Sequence, residues 1–300
     1  MTLQELIEFR DRMYRDPELL AIYEQGDANS HWQTRHDYQH GDEVTVLARE
    51  LTGHIHRIFP ELLDEVTREF VIPCAAWLHD IGRAIDIDRH DIEGARLVNR
   101  YLKKHGIPQN LVQRISRIVV HHRSGSVIKR GIKSPEHAIV VIADKCIGDE
   151  NRVREDKAFM LNILKHIGIG KFSLARRNFW YNAPHDRVNY AIKEANLLVD
   201  VNEADKAGPP SGEVVLKLRV DERVAPIEEI VTLDWFADSF FACGKASKYF
   251  GFSFRLEFNG VRHMWDKTAR KGHGGWVPMR TMHVPRGCES HEEGCDEDRS

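Results

Sequence analysis

Over most of residues 1–168 apolar side chains recur three or four positions apart, the spacing of one helical face. The pattern predicts helices near 2–14, 17–25, 39–57, 61–83, 90–105, 108–122, 135–148 and 156–167. Punctuation residues fall at the expected breaks: Pro60 and Pro73, Gly106 and Pro108, Gly125, Gly131, and Ser134 before Pro135. Near residue 187 the period shortens. The stretches "RVNYAIKEANLLVD" and "EVVLKLRVD" read as strands, with "DKAGPPSGE" as the turn between them. A helix is predicted near 226–250, and then "FSFRLEFNGVRHMW" alternates like a strand that turns back at Asn259-Gly260. The predicted fold is mostly α, a helical domain over 1–185 followed by a small α+β domain over 186–285, with a tail over 286–300.

The helix near 226–250 carries more apolar surface than this sheet, read as three strands, would cover. Ile230, Leu233, Phe236, Ala237, Phe240, Phe241 and Tyr249 lie on broad apolar faces. The excess is expected to meet the helical domain or a second subunit, so a homo-oligomer through or beside this helix is expected. The 186–285 unit is expected to pack on the helical domain without carrying the chemistry.

Composition narrows the picture. The chain has 42% hydrophobic residues, enough for a real core. It has no uninterrupted apolar run of the roughly 18 residues a membrane helix needs. The amphipathic start "MTLQELIEFRDRMYRD" lacks the apolar stretch of a signal peptide. Five scattered cysteines, Cys74, Cys146, Cys243, Cys288 and Cys295, suit a reducing compartment, so a cytoplasmic location is expected. The net charge of −3 hides an uneven distribution. Residues 286–300 hold six acids and two bases and are expected to be disordered. Residues 114–133, "RISRIVVHHRSGSVIKRGIK", hold six Lys or Arg and no acid. That stretch is either a solvated helix end and loop or the contact surface for an anionic ligand.

The predicted helices carry polar residues on their apolar faces. His40 shares a face with Val44, Leu47 and Leu51, and His79 with Ile72, Ala75 and Ala76. His90 lies with Leu97, Val98 and Tyr101, His122 with Ile115, Ile118 and Val119, and Asp144 with Val140, Val141 and Ile147. A single core-facing histidine is more often a hydrogen-bonded core residue than a ligand. Five helices each aiming a metal-compatible group inward, with Asp80 beside His79, are harder to satisfy pairwise. Imidazole and carboxylate together suit divalent transition metals, whose charge offsets carboxylate desolvation.

The order His40, His79-Asp80, His90, His121-His122 and Asp144 resembles the HD-domain superfamily of metal-dependent phosphohydrolases. The stretches "DYQHGDEV", "AAWLHDIGRA", "HDIEGARLV", "ISRIVVHHRSG" and "HAIVVIADKCIGDENR" match its successive motifs over roughly residues 35–155. Within it, the chain is most similar to the small bacterial enzymes that split symmetrical diadenosine tetraphosphate. The resemblance implies an HD-domain helical bundle and one or two divalent ions (iron, manganese, cobalt, nickel or zinc). It implies that His40, His79, Asp80 and Asp144 hold the first ion, and that Asp80 bridges to a second held by His90 and His122. His121 would be a further ligand or a phosphate contact. The glycine-tyrosine-proline signature of the cyclic-dinucleotide branch is missing.

The reaction so implied is cleavage of a phosphoester or phosphoanhydride bond in a phosphorylated small molecule, a nucleotide above all. Asp80, Arg83 and Lys145 would serve catalysis; Arg123, Lys129 and Arg130 would bind substrate phosphate. Arg83 could equally be the surface end of a helix. Two other readings stay open: a di-iron oxygenase of the inositol oxygenase-like branch, and a metal-stabilised sensing module without turnover. Neither a membrane nor a nucleic acid is an expected partner. Weaker signals are a zinc site at Cys288, His291 and Cys295, the glycine-rich "RKGHGGW" at 270–276, and "ARRNFWYN" at 175–182. The last could stack a base, although its aromatics more naturally pack between domains.

Overall fold

The structure, a computed structural model, describes residues 1–168, 172–201, 211–269 and 274–279. The acidic tail, the Cys288–His291–Cys295 set and residues 270–273 of the glycine-rich stretch lie outside the described residues. The helical part comprises α1 (Leu3–Met13), α2 (Pro17–Asn29), α3 (Tyr38–Ile58), α4 (Ile72–Leu78) and α5 (His90–Lys104). It continues with α6 (Gln109–His121), α7 (Ser124–Arg130), α8 (Pro135–Cys146) and α9 (Glu155–Leu164). Helix α4 is the axis: all its residues are buried, and α3, α6 and α8 pack around it. Side-chain caps start several helices, with Thr2, Asp16, Asp37 and Ser134 each accepting a backbone N–H of the first turn.

The helix expected over 61–83 is broken in three. A π-helical turn (Thr67–Val71) runs into α4, and a 3-10 turn (Ile81–Ala84) follows His79 and Asp80. Asp64 accepts the Thr67 N–H at 2.7 Å, which sets the start. Pro73 explains the π turn, because it cannot donate to the carbonyl four residues back. That carbonyl, Glu69 O, instead accepts the guanidinium of buried Arg10. Arg10→Ala should therefore cost about 1–3 kcal/mol, the price of a buried unpaired carbonyl. A urea midpoint unchanged from the native chain would contradict this.

The C-terminal part begins with α10 (Ala183–Ala191), which leads directly into β1 (Ile192–Val201). Residues 187–191 are thus helical rather than extended. Nearly every residue of α10 is buried, so its apolar positions show no helical period in the sequence. Strands β2 (Gly212–Val220), β3 (Phe252–Phe258), β4 (Val261–Asp266) and β5 (Gly275–Pro278) complete a sheet in the order β1-β2-β3-β4-β5. Only β2 and β3 pair in parallel among the described strands. Their crossover carries α11 (Ile227–Ile230) and α12 (Asp234–Tyr249), since a parallel pair cannot be joined by a tight turn. The β3–β4 hairpin turns at Asn259 (φ 48°) and Gly260 (φ 85°), the left-handed pair that an Asn-Gly turn supplies. The sheet has two strands more than the three read from the period: β4 is the return arm of the Asn259-Gly260 hairpin, and β5 is too short to show a period.

Helix α12 packs on α7 and α8 with one side and on β3 with the other. Phe236, Phe240, Cys243 and Ala246 are buried, and Phe241 packs against Trp265 with ring centroids 4.9 Å apart. Much of the surplus apolar surface of this helix is therefore met within the chain, while Tyr249 stays exposed. The mostly helical fold with a small C-terminal sheet agrees with the expected class. Among the described residues, no helix is long and apolar enough to cross a membrane.

Candidate metal centre

The polar residues singled out by their core-facing positions stand at helix ends that converge beside α4. His40 lies in the first turn of α3, and His79 caps the C-terminus of α4. Asp80 precedes the 3-10 turn, and His90 is the first residue of α5. His122 caps α6, and Asp144 sits in the last turn of α8. All six are buried.

Asp80 lies between two groups of histidines. Its Oδ2 is 3.6 Å from His79 Nε2, while its Oδ1 is 3.2 Å from His90 Nε2 and 3.5 Å from His122 Nε2. Asp144 Oδ1 completes the first side, 3.4 Å from His79 Nε2 and 3.7 Å from His40 Nε2. Two ligand-spaced groups result: His40, His79 and Asp80, and Asp80, His90 and His122.

The hydrogen bonds show what the groups lack. His79, His90 and His122 each direct Nδ1 at the carbonyl three residues back, to Ala76 at 2.7 Å, Ile87 at 2.6 Å and Val119 at 2.7 Å. Those acceptors place the proton on Nδ1 and leave an Nε2 lone pair facing inward. The Nε2 atoms of His90 and His122 are only 3.2 Å apart, both against Asp80 Oδ1. The fully buried Nε2 of His79 has no hydrogen-bond partner among the described residues. Converging lone pairs are unfavourable until a cation lies among them, and imidazole with carboxylate fits a divalent transition ion.

The electrostatics agree. Burial would raise the Asp80 pKa, yet His79, His122 and His90 hold it well below the usual carboxylate range. Burial is likewise outweighed at Asp144, by Lys145 and His79. Burial pushes His122 down to about 4; burial and the Arg152 guanidinium take His40 to about 3. Ligating imidazoles must be neutral, which the lowered values of His40 and His122 favour. At His79 burial is overcome by Asp80 and Asp144, which raise its pKa. The site attracts positive charge.

The centre is held by close backbone approach. A Cβ on Gly82 would stand 2.0 Å from His90 O and 2.3 Å from Gly94 N. This glycine pair lets the Asp80 turn lie directly on the start of α5, which brings His90 to Asp80.

The centre opens into a cavity of about 750 Å³. Arg83 lines it and is buried rather than a surface helix end. One of its terminal nitrogens donates to Gln33 Oε1, while its buried Nε has no hydrogen-bond partner among the described residues. Lys145 lines it too, its Nζ 2.6 Å from Asp144 Oδ2. Arg123, Lys129 and Arg130 stand on the cavity wall, with Arg123 donating to Asp88 O and lying 3.6 Å from Asp91. His121 stands apart from both histidine groups: its Nδ1 is 3.2 Å from Ser126 Oγ and its ring faces His137.

Two cavity residues escaped the sequence reading. Arg152 donates to His40 Nδ1 at 2.8 Å and to Arg35 O at 3.0 Å, tying the His40 side to the loop before α3. His36 lines the cavity with its ring 5.9 Å from that of His40, and burial with Arg83 and Arg152 keeps it uncharged. Arg152 had a signal, the "DENR" run after Asp144. His36 had none, since it lies in the loop between the apolar periods of α2 and α3.

The HD domain family model matches residues 37–149. That span contains all six converging residues, and the match supports the HD-domain superfamily for this region. It stops before α9 and the sheet. Comparison with curated proteins and with solved structures yields no significant match. An HD domain suggests metal-dependent hydrolase activity, and the buried His/Asp groups fit metal binding.

Proposed function

We propose that the protein is a metal-dependent phosphohydrolase that cleaves a phosphoester or phosphoanhydride bond of a nucleotide-like small molecule. The observation that carries this reading is Asp80, with one carboxylate oxygen facing each histidine group at the base of a cation-lined cavity. His40, His79, Asp80 and Asp144 would hold one divalent ion, and Asp80, His90 and His122 a second. Such ions acidify water to a nucleophile at neutral pH and polarise phosphoryl oxygens.

The chain supplies the rest. The carbonyls of Ala76, Ile87 and Val119 orient three imidazoles before any ligand arrives. Arg83 offers its unpartnered Nε to a phosphate oxygen, with no surface rotamers to lose. Lys145 holds Asp144 in place and adds a positive charge beside the reacting phosphate. Arg123, Lys129 and Arg130 draw the anion into the cavity.

Purified protein of defined metal content, assayed for phosphate release on nucleotides, dinucleoside polyphosphates and cyclic nucleotides, tests the reading. Turnover that is lost with chelator and restored by a transition metal is expected. Oxygen consumption without phosphate release would replace hydrolysis by the di-iron oxygenase reading. Arg123→Ala and Lys129→Ala should each lower kcat/KM about five- to tenfold, mainly through KM, while leaving the fold intact. Unchanged kinetics in both would move the phosphate site elsewhere.

A further inference from the structure

The cavity is lined by two unlike sets of side chains. Arg83, Lys145, Arg123 and Lys129 are among its cations. Trp32, Tyr181 and Trp235 are its aromatic rings, supplied by three separate segments: the loop after α2, the loop before α10, and the first turn of α12. All three residues lie outside the span that matches the HD domain. The 186–285 unit, expected to pack on the helical domain, thus contributes Trp235 to the cavity lining.

These rings are costly to leave where they are. Tyr181 is 86% exposed and Trp32 is 39% exposed. Their centroids are 5.6 Å apart at 78°, so they meet edge to face and are not stacked on each other. The neighbouring Trp180 shows the contrasting, structural use of an aromatic. It is half-buried, with its Nε1 donating to Asp186 at 2.6 Å. Among the described residues no hydrogen bond anchors the Tyr181 ring in this way. An exposed aromatic surface beside a cationic wall matches a ligand with a charged end and a flat apolar end. A cavity of about 750 Å³ accepts a molecule of nucleotide size.

We propose that Trp32, Tyr181 and Trp235 form an aromatic rim that selects phosphorylated substrates carrying a planar ring, a nucleobase in particular, and that these are specificity-determining residues. The proposal rests on the phosphohydrolase reading for the place of the phosphate. Stacking on an aromatic face tolerates different bases, because every base has a π-face. The rim therefore favours the ring as such over one base among the four.

The test is equilibrium binding to the metal-loaded protein of two uncleavable phosphonates, the analogues of adenosine monophosphate and of ribose 5-phosphate. The adenosine compound should bind at least about tenfold tighter, the worth of one stacked base. Tyr181→Ala, at an exposed position with little risk to folding, and Trp32→Ala should each remove most of that difference and leave the ribose compound unchanged. Trp235→Ala should do the same; its ring also packs on Phe236 at 4.7 Å, so its thermal midpoint is measured alongside. Equal affinity for the two compounds, no binding of either, or full discrimination in both Tyr181→Ala and Trp32→Ala overturns the rim. Ring-dependent binding without phosphate release from any nucleotide would leave the rim standing and sink the hydrolase reading. Phosphate release with equal kcat/KM on ring-bearing and ringless substrates would do the reverse.

Discussion

Asp80→Ala should empty both halves of the metal centre at once and lower turnover by about a thousandfold or more. Replacing an outer partner of a metal ligand costs about 10–100-fold, and Asp80 does more than that. Its two oxygens are divided between His79 on one side and His90 with His122 on the other. Each half would lose a donor and a negative charge together. His90→Ala should by contrast deplete only the half that holds His122. Metal per chain, measured by mass spectrometry beside phosphate release, reads both variants. Asp80→Asn keeps the shape of the side chain and separates a folding defect from the lost charge. Native metal content and native turnover in Asp80→Asn and Asp80→Ala would show that Asp80 does not bridge the two groups.

Gly82→Ala should destabilise the protein by at least about 3 kcal/mol and strip metal from the half that holds His90. The added methyl would overlap His90 O and Gly94 N, which are backbone atoms and cannot rotate aside as a side chain can. Either the Asp80 turn or the start of α5 must move. Gly53→Ala, inside α3 with nothing within 4 Å of the new Cβ, is the control. It should stabilise by up to about 1 kcal/mol, since alanine is the better helix former. Chemical denaturation of the two variants, with metal analysis of each, makes the comparison. Similar midpoints in both would mean that the Gly82–Gly94 approach is not needed.

The candidate site was legible in the sequence because its members break a local rule. His40, His79, His90, His122 and Asp144 occupy positions that the helical period reserves for apolar residues, and Asp80 adjoins one of them. Most helices were legible for the same reason, and Asn259-Gly260 marked its hairpin by backbone preference alone. Where the period failed, the reading failed. Helix α10 is buried on nearly every side, Pro73 hides a π turn within a helical pattern, and β5 spans only four residues.

The sequence by itself determined which side chains turn inward, since a helix face is a matter of residues three and four apart. Only the tertiary structure decided how those faces meet. It divided the oxygens of Asp80 between two histidine groups and left His121 with Ser126 while His122 turned inward. It also buried Arg83, joined Arg152 to His40, and set Trp235 beside a cavity that Asp80 and His122 line from more than a hundred positions earlier. The physical reason is that facing is encoded locally by periodicity. The distance between two faces depends on the packing of the whole chain, including a glycine contact between Gly82 and Gly94 that no pattern along the sequence announces.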